Sequence, residues 1–123
     1  MWKVLFVDNE PVIRRGLRNL VDWQQYDMEI IGEAGDGKDA LEIAKKIQPN
    51  IVLLDICMPK MNGLQLIENL NGILDNWVAI VITAYDEFSY AYRAIKLKVF
   101  DYLLKPISKE QLHEILNKAK EQL

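Results

Sequence analysis

Short unbroken apolar runs rich in β-branched residues alternate along this chain with stretches whose apolar residues recur at helical spacing. Val4-Leu5-Phe6-Val7, Ile51-Val52-Leu53-Leu54 and Val78-Ala79-Ile80-Val81-Ile82 have the pattern of strands buried on both faces, as in a parallel sheet. Val99 to Leu104, interrupted by Asp101, gives a further strand, and Met28 to Ala34, carrying Glu29 and Glu33, suits a sheet edge. Helical stripes separate them: Ile13, Leu17, Leu20, Val21; Leu41, Ala44, Ile47; Leu66, Ile67, Leu70, Ile73, Leu74; Phe88, Ala91, Tyr92, Ile95; and Leu112, Ile115, Leu116, Ala119. Pro11 fits a first helical position, Asn62 and Asp86 fit N-caps, Ser108 with Gln111 fits a capping box, and Pro49 ends the second helix. The expectation is an α/β fold, a doubly wound parallel sheet of five strands with five helices, whose ligands bind outside the carboxyl ends of the strands.

Composition narrows the class. A length of 123 residues, half of them hydrophobic, suits one domain with one core, over 1–123. A net charge of −3 lacks the basic footprint of a nucleic-acid surface, so any contact with DNA falls to a separate domain. One cysteine cannot form an internal disulfide. With no secretory h-region and no apolar run near the ~20 residues of a membrane span, the cytoplasm is the expected compartment.

The strand ends share one rim. Asp8, Asn9 and Glu10 follow the first strand, Asp55 the third, Thr83 ends the fourth, and Lys105-Pro106 follows the fifth. Each alone reads as a turn residue or a solvated charge; together they read as a site. Two carboxylates in one pocket repel unless a cation intervenes. Oxygen donors without clustered His or Cys indicate a hard ion such as Mg²⁺. With the Lys105 ammonium and the Thr83 hydroxyl, such a site could hold a phosphoryl group being transferred to a carboxylate, and Asp55 is the candidate acceptor.

The stretches VLFVDNEP (4–11), EAGDGKDAL (33–41), PNIVLLDICMPKMNGLQLI (49–67), ITAYDEF (82–88) and FDYLLKP (100–106) resemble the receiver domain of two-component response regulators over essentially the whole chain. The resemblance implies a flavodoxin-like sheet of order 2-1-3-4-5. It implies a phosphoacceptor, Asp55, that takes its phosphoryl group from a sensor histidine kinase, and Mg²⁺ held by Asp8, Asn9, Asp55 and the Cys57 backbone carbonyl. Thr83 and Lys105 are then phosphoryl contacts, Thr83 and Tyr102 form the switch pair, and Lys105-Pro106 is expected cis. Such a domain catalyses only its own phosphotransfer and slow dephosphorylation and is not otherwise an enzyme. Its output face comprises the fourth helix, fifth strand and last helix, through which a homodimer is expected. The stretch from Thr83 to Pro106 looks most like receivers that precede AraC-type DNA-binding modules, so the expected role is in transcription regulation.

Two positions depart from the family. Asn9 replaces the usual second Asp, which removes a charge from the metal site and implies weaker Mg²⁺ binding, partly offset by Asp8 and Glu10. Lys98 replaces a common glycine. Cys57, Ala84 and Tyr85 stand where access of water to the phosphoryl group is tuned. His113 lies on the polar side of the last stripe and reads as a surface residue. Among other classes, a dehalogenase-type phosphohydrolase would need a second Asp two residues after its nucleophile, where Cys57 stands. A flavodoxin-type module would need a Ser, Thr and Gly rich loop in place of NEPVIRRG, and no G-x-G-x-x-G occurs. The rival is a receiver-shaped interaction module that does not use phosphorylation.

Overall fold

The computed structural model describes residues 1–56, 61–84 and 100–123. Five parallel strands, β1 (Trp2–Val7), β2 (Met28–Ala34), β3 (Ile51–Leu54), β4 (Val78–Thr83) and β5 (Asp101–Leu104), form one sheet in the order β2-β1-β3-β4-β5. The helices are α1 (Pro11–Leu20), α2 (Gly37–Ile47), α3 (Gly63–Asn71) and the C-terminal α4 (Lys109–Gln122). A 3-10 helix, Trp23–Tyr26, leads into β2. The helix expected over Phe88 to Ile95, with Asp86, Tyr85 and Lys98, lies outside the described residues, as does Cys57.

β1, β3 and β4 are central, and their buried runs lose no side chain to solvent because helices cover both faces. On one face Val4, Phe6, Leu53, Ile80 and Ile82 pack with Leu17 of α1 and Leu112, Ile115 and Leu116 of α4. On the other, Leu5, Val7, Leu54 and Val81 pack with Ala40 and Ala44 of α2 and Leu64, Ile67 and Leu70 of α3. β2 is an edge strand, as its glutamates suggested.

Helix starts follow local chemistry. Pro11 opens α1, and the Asn62 and Ser108 side chains cap α3 and α4, each in a reciprocal box with Gln65 and Gln111. The stripes overran two helix ends. α1 stops at Leu20 and α3 at Asn71, yet Val21 and Leu74 are still buried, because the chain leaving a helix can turn an apolar residue inward without continuing it. The 3-10 helix was not foreseen. Its Trp23 is buried against Phe6, with ring centroids 5.2 Å apart, and its indole N–H donates to the Leu17 carbonyl at 3.1 Å.

Candidate functional site

Asp8, Asp55 and Lys105 each stand one rung past their strands, and Thr83 is the last residue of β4. The Asp8 N–H donates to the Ala34 carbonyl at 3.0 Å, the Asp55 N–H to Val7 at 3.0 Å and the Lys105 N–H to Thr83 at 2.8 Å. The ladder between neighbouring strands therefore runs on through Asp8, Asp55 and Lys105, and with Thr83 at the end of β4 it sets all four candidate residues on hydrogen-bonded backbone.

Asp8, Asp55 and Thr83 are the buried polar residues among those described. The Lys105 ammonium reaches across the strand ends and donates to Asp8 Oδ2 at 2.7 Å and to Asp55 Oδ2 at 3.0 Å. Burial alone would push this ammonium's pKa down, but the hydrogen bonds and charges of Asp8 and Asp55 outweigh it and hold it above the ordinary lysine value. Lys105 is thus a permanent cation at neutral pH between two carboxylates, and the trio keeps an excess negative charge in a low-dielectric rim. The Lys105-Pro106 peptide is cis.

The backbone around Asp55 leaves no room for adjustment. The Gly63 N–H donates to the Ile56 carbonyl at 2.8 Å. A Cβ on Gly63 would lie 2.8 Å from the Ile56 Cα and nearer still to the Asp55 carbonyl oxygen. Only glycine lets α3 start this close beneath Asp55.

Asn9 and Glu10 are exposed on the rim. Asp8 Oδ1 accepts from the Glu10 N–H at 2.9 Å, so the loop from β1 to α1 folds around the Asp8 carboxylate. Tyr102, on β5 opposite Val81, is half-buried against the cluster containing that residue. His113 is exposed, as expected, but its ring is engaged on both sides: the Tyr26 hydroxyl lies 2.6 Å from Nδ1 and the Asn117 amide 3.2 Å from Nε2.

Sequence reasoning missed Arg14 and Glu33. Arg14 Nε donates to Glu33 Oε1 at 3.1 Å, Arg18 donates to Glu33 Oε2 through Nε at 3.1 Å and Nη2 at 2.6 Å, and Arg14 Nη1 donates to the Asp8 backbone carbonyl. Burial pushes the Glu33 carboxyl up, but the two guanidiniums outweigh it and hold its pKa below the ordinary value. The available signal was the spacing of Arg14 and Arg18, four apart and so on one face of α1.

Among the described residues no three His, Cys, Asp or Glu side chains are grouped to hold a metal. The donor chemistry still fits Mg²⁺, which takes one or two carboxylates and completes its shell with water and phosphate oxygens. Asp8 and Asp55 supply such a pair, and Asn9, which follows Asp8 in the chain, carries an amide oxygen.

Residues 4–117 match the response regulator receiver domain family. The chain belongs to that family. It is 40% identical over 118 residues to the transcriptional regulatory protein HptR of Staphylococcus aureus and 38% identical over 117 residues to a response regulatory protein of Staphylococcus epidermidis. These alignments cover 96% and 95% of this chain and 46% of each relative, so the chain spans about half the length of the curated relatives it matches. Among solved structures, the receiver domain of AraT, a response regulator of Geobacillus stearothermophilus, superposes with a TM-score of 0.93 at 47% identity, covering 98% of this chain and 94% of that one. A two-component transcriptional regulator AraC of Clostridium phytofermentans gives 0.90 at 30% identity, covering 99% and 95%. The receiver fold, the strand order and the likeness to AraC-type regulators expected from the sequence are all found.

Proposed function

We propose that residues 1–123 form one receiver domain that accepts a phosphoryl group on Asp55 from a phosphohistidine of a sensor kinase, in a Mg²⁺-dependent reaction. The observation that carries this reading is the buried Asp55 carboxylate, bonded to Lys105 beside Asp8 at the strand ends. A carboxylate oxygen of Asp55 attacks phosphorus, the phosphorus–nitrogen bond breaks, and the electron pair leaves with the imidazole. The product is an acyl phosphate on Asp55.

Lys105 already touches Asp55, so its ammonium can move from the carboxylate to a phosphoryl oxygen as negative charge gathers there. Thr83, at the end of the neighbouring strand, offers a hydroxyl to another, and Tyr102 on β5 follows the movement of Thr83. Asp8, Asn9, Asp55 and the Cys57 carbonyl would hold Mg²⁺, which would supply Lewis-acid neutralisation of the transferred group. With Asn9 in the metal set, binding is weaker than with a second carboxylate there. The chain accelerates only its own phosphorylation and dephosphorylation and turns over no other substrate.

An apolar groove lined by Val12, Ile13, Leu17, Leu20, Pro106 and Ile107 opens beside Lys105. Val12 is 62% exposed there. It is the surface on which the kinase rests while its histidine faces Asp55, because the same groove ends at a residue of the site. Output passes through β5, α4 and the segment before β5, as a homodimer, to a transcription-regulating DNA-binding module that is a separate domain. No helix among the described residues is long and apolar enough to cross a membrane, and we place the domain in the cytoplasm.

Incubation with Mg²⁺ and a small phosphoryl donor, read by intact mass, tests the reading. Wild type gains one phosphoryl group and Asp55→Asn gains none. No gain at any Mg²⁺ concentration favours the phosphorylation-independent module that Asn9 raises.

A further inference from the structure

The pairing of β1 with β2 slips by one residue. Val4 stands opposite Ile30 but Leu5 opposite Gly32, which leaves Ile31 as the extra residue of a bulge. Side chains alternate between the faces of a strand, so a one-residue slip transfers everything beyond it to the other face. Carried on without the bulge, the register that begins at Trp2 and Met28 would set Glu33 opposite Val7, whose face is covered by α2 and α3. With the bulge, Glu33 stands opposite Phe6, on the face covered by α1. There it meets the guanidiniums of Arg14 and Arg18.

We propose that Arg14, seated on Glu33 by this bulge, is a positioning residue that holds the β1–α1 loop in the geometry that binds a divalent cation. The inference rests on the phosphoacceptor reading above and concerns how that site is kept in shape.

Asp8 is tied at each polar atom: its N–H to Ala34, its carbonyl to Arg14, Oδ1 to the Glu10 N–H and Oδ2 to Lys105. Of these ties, Arg14 is the one that runs from the loop's backbone through a side chain to the edge strand. Its own N–H also donates to the Glu10 carbonyl at 3.3 Å, so one residue holds both ends of the loop that presents Asn9. The planar fork of arginine can serve the Glu33 carboxylate and the Asp8 carbonyl together, which a lysine ammonium on the same stem cannot do with the same geometry. Because Asn9 brings an amide where a second charge would draw the cation in, orientation of the loop matters more here.

Positioning and plain electrostatics predict opposite signs. A guanidinium next to a cation site repels the cation, so by Coulomb's law alone Arg14→Gln should bind Mg²⁺ more tightly. If Arg14 positions the loop, the same variant binds it more weakly.

Calorimetric titration of the chain with Mg²⁺, with melting curves recorded without metal, separates the two. We expect Arg14→Gln and Arg14→Lys each to weaken Mg²⁺ binding about tenfold, as loss of groups that orient metal ligands does, and Glu33→Gln to weaken it less. Phosphoryl gain from a small donor should slow at low Mg²⁺ and recover at saturating Mg²⁺. Unchanged or tighter binding by Arg14→Gln overturns the proposal, and so does a lowered melting temperature with an unshifted Mg²⁺ midpoint, the mark of a purely structural clamp. If Arg14→Gln does not fold, Arg14→Lys, which keeps stem and charge, decides by the same midpoint. Failure of wild type to gain a phosphoryl group would strike the phosphoacceptor reading instead, while the calorimetric comparison still judges Arg14.

Discussion

Two ionic clusters meet at Asp8, and they are mirror images in charge. At its side chain, one ammonium, Lys105, serves two buried carboxylates, Asp8 and Asp55. Behind its backbone carbonyl, two guanidiniums, Arg14 and Arg18, serve one half-buried carboxylate, Glu33. The first has an acid too many and lies where solvent cannot screen it; the second has a base too many and lies where water reaches it. A surplus of buried negative charge suits the receptor for a cation proposed above, whereas a surplus of half-exposed positive charge suits the proposed brace. The difference in burial as much as the difference in sign assigns the roles, because the same surplus in water would cost little.

The comparison can be broken first at Lys105. Lys105→Met leaves two carboxylates in the rim with no ammonium between them, and it lowers stability without metal by about 3 kcal/mol. Added Mg²⁺ should restore much of the loss, which a thermal melt with and without metal measures. Gly63→Ala strikes the same cluster through its backbone. A Cβ there collides with the Asp55 carbonyl, which costs about 1–3 kcal/mol as overpacking does and slows phosphoryl gain, read by denaturant titration and intact mass.

Neutralising one acid sharpens the contrast, because the sign differs between the clusters. Asp55→Asn removes the surplus charge and raises the melting temperature of the metal-free protein, while Glu33→Gln leaves two guanidiniums without their carboxylate and lowers it. A fall with Asp55→Asn would show that the buried trio is not short of cation. In the other direction, Asn9→Asp adds an acid to the rim. It should tighten Mg²⁺ severalfold and lower metal-free stability slightly, and unchanged Mg²⁺ affinity in calorimetry would show that the position does not reach the cation.

The smallest effect is on pH dependence. Glu33 has a lowered pKa in the folded chain, so its contribution is complete above the ordinary value of 4.5 and is lost as pH falls from there through the folded value. Wild type minus Glu33→Gln in melting temperature should therefore shrink on acidification across that window and stay flat above it. Lys105, with its pKa raised, makes its contribution below the ordinary lysine value and loses it as pH rises through the folded value.

Much of the molecule is legible in the linear sequence because the signals are local. The buried runs at Val4, Ile51 and Val78 announce strands covered on both faces, and polar residues placed directly after them must emerge at one rim of a parallel sheet. That places Asp8, Asp55, Thr83 and Lys105 without any coordinates. The capping boxes at Asn62 and Ser108 are equally local, since donor and acceptor lie three residues apart. Periodicity says less about helix ends, as Val21 and Leu74 show, because burial continues where helical hydrogen bonding stops. The 3-10 turn at Trp23 escaped for a related reason: four residues are too few to display a period.

The sequence by itself thus determined the fold class, the alternation of strand and helix, and the residues that crowd the strand ends. Tertiary structure decided how those residues are held. No local pattern says that Lys105 bonds both Asp8 and Asp55, that Gly63 must lie against the Asp55 carbonyl, or that a bulge at Ile31 turns Glu33 toward Arg14 and Arg18. The first two depend on distances between segments far apart in the chain. The last depends on register, which two strands settle between themselves, and there a slip of one residue is enough to send a carboxylate to the other side of the sheet.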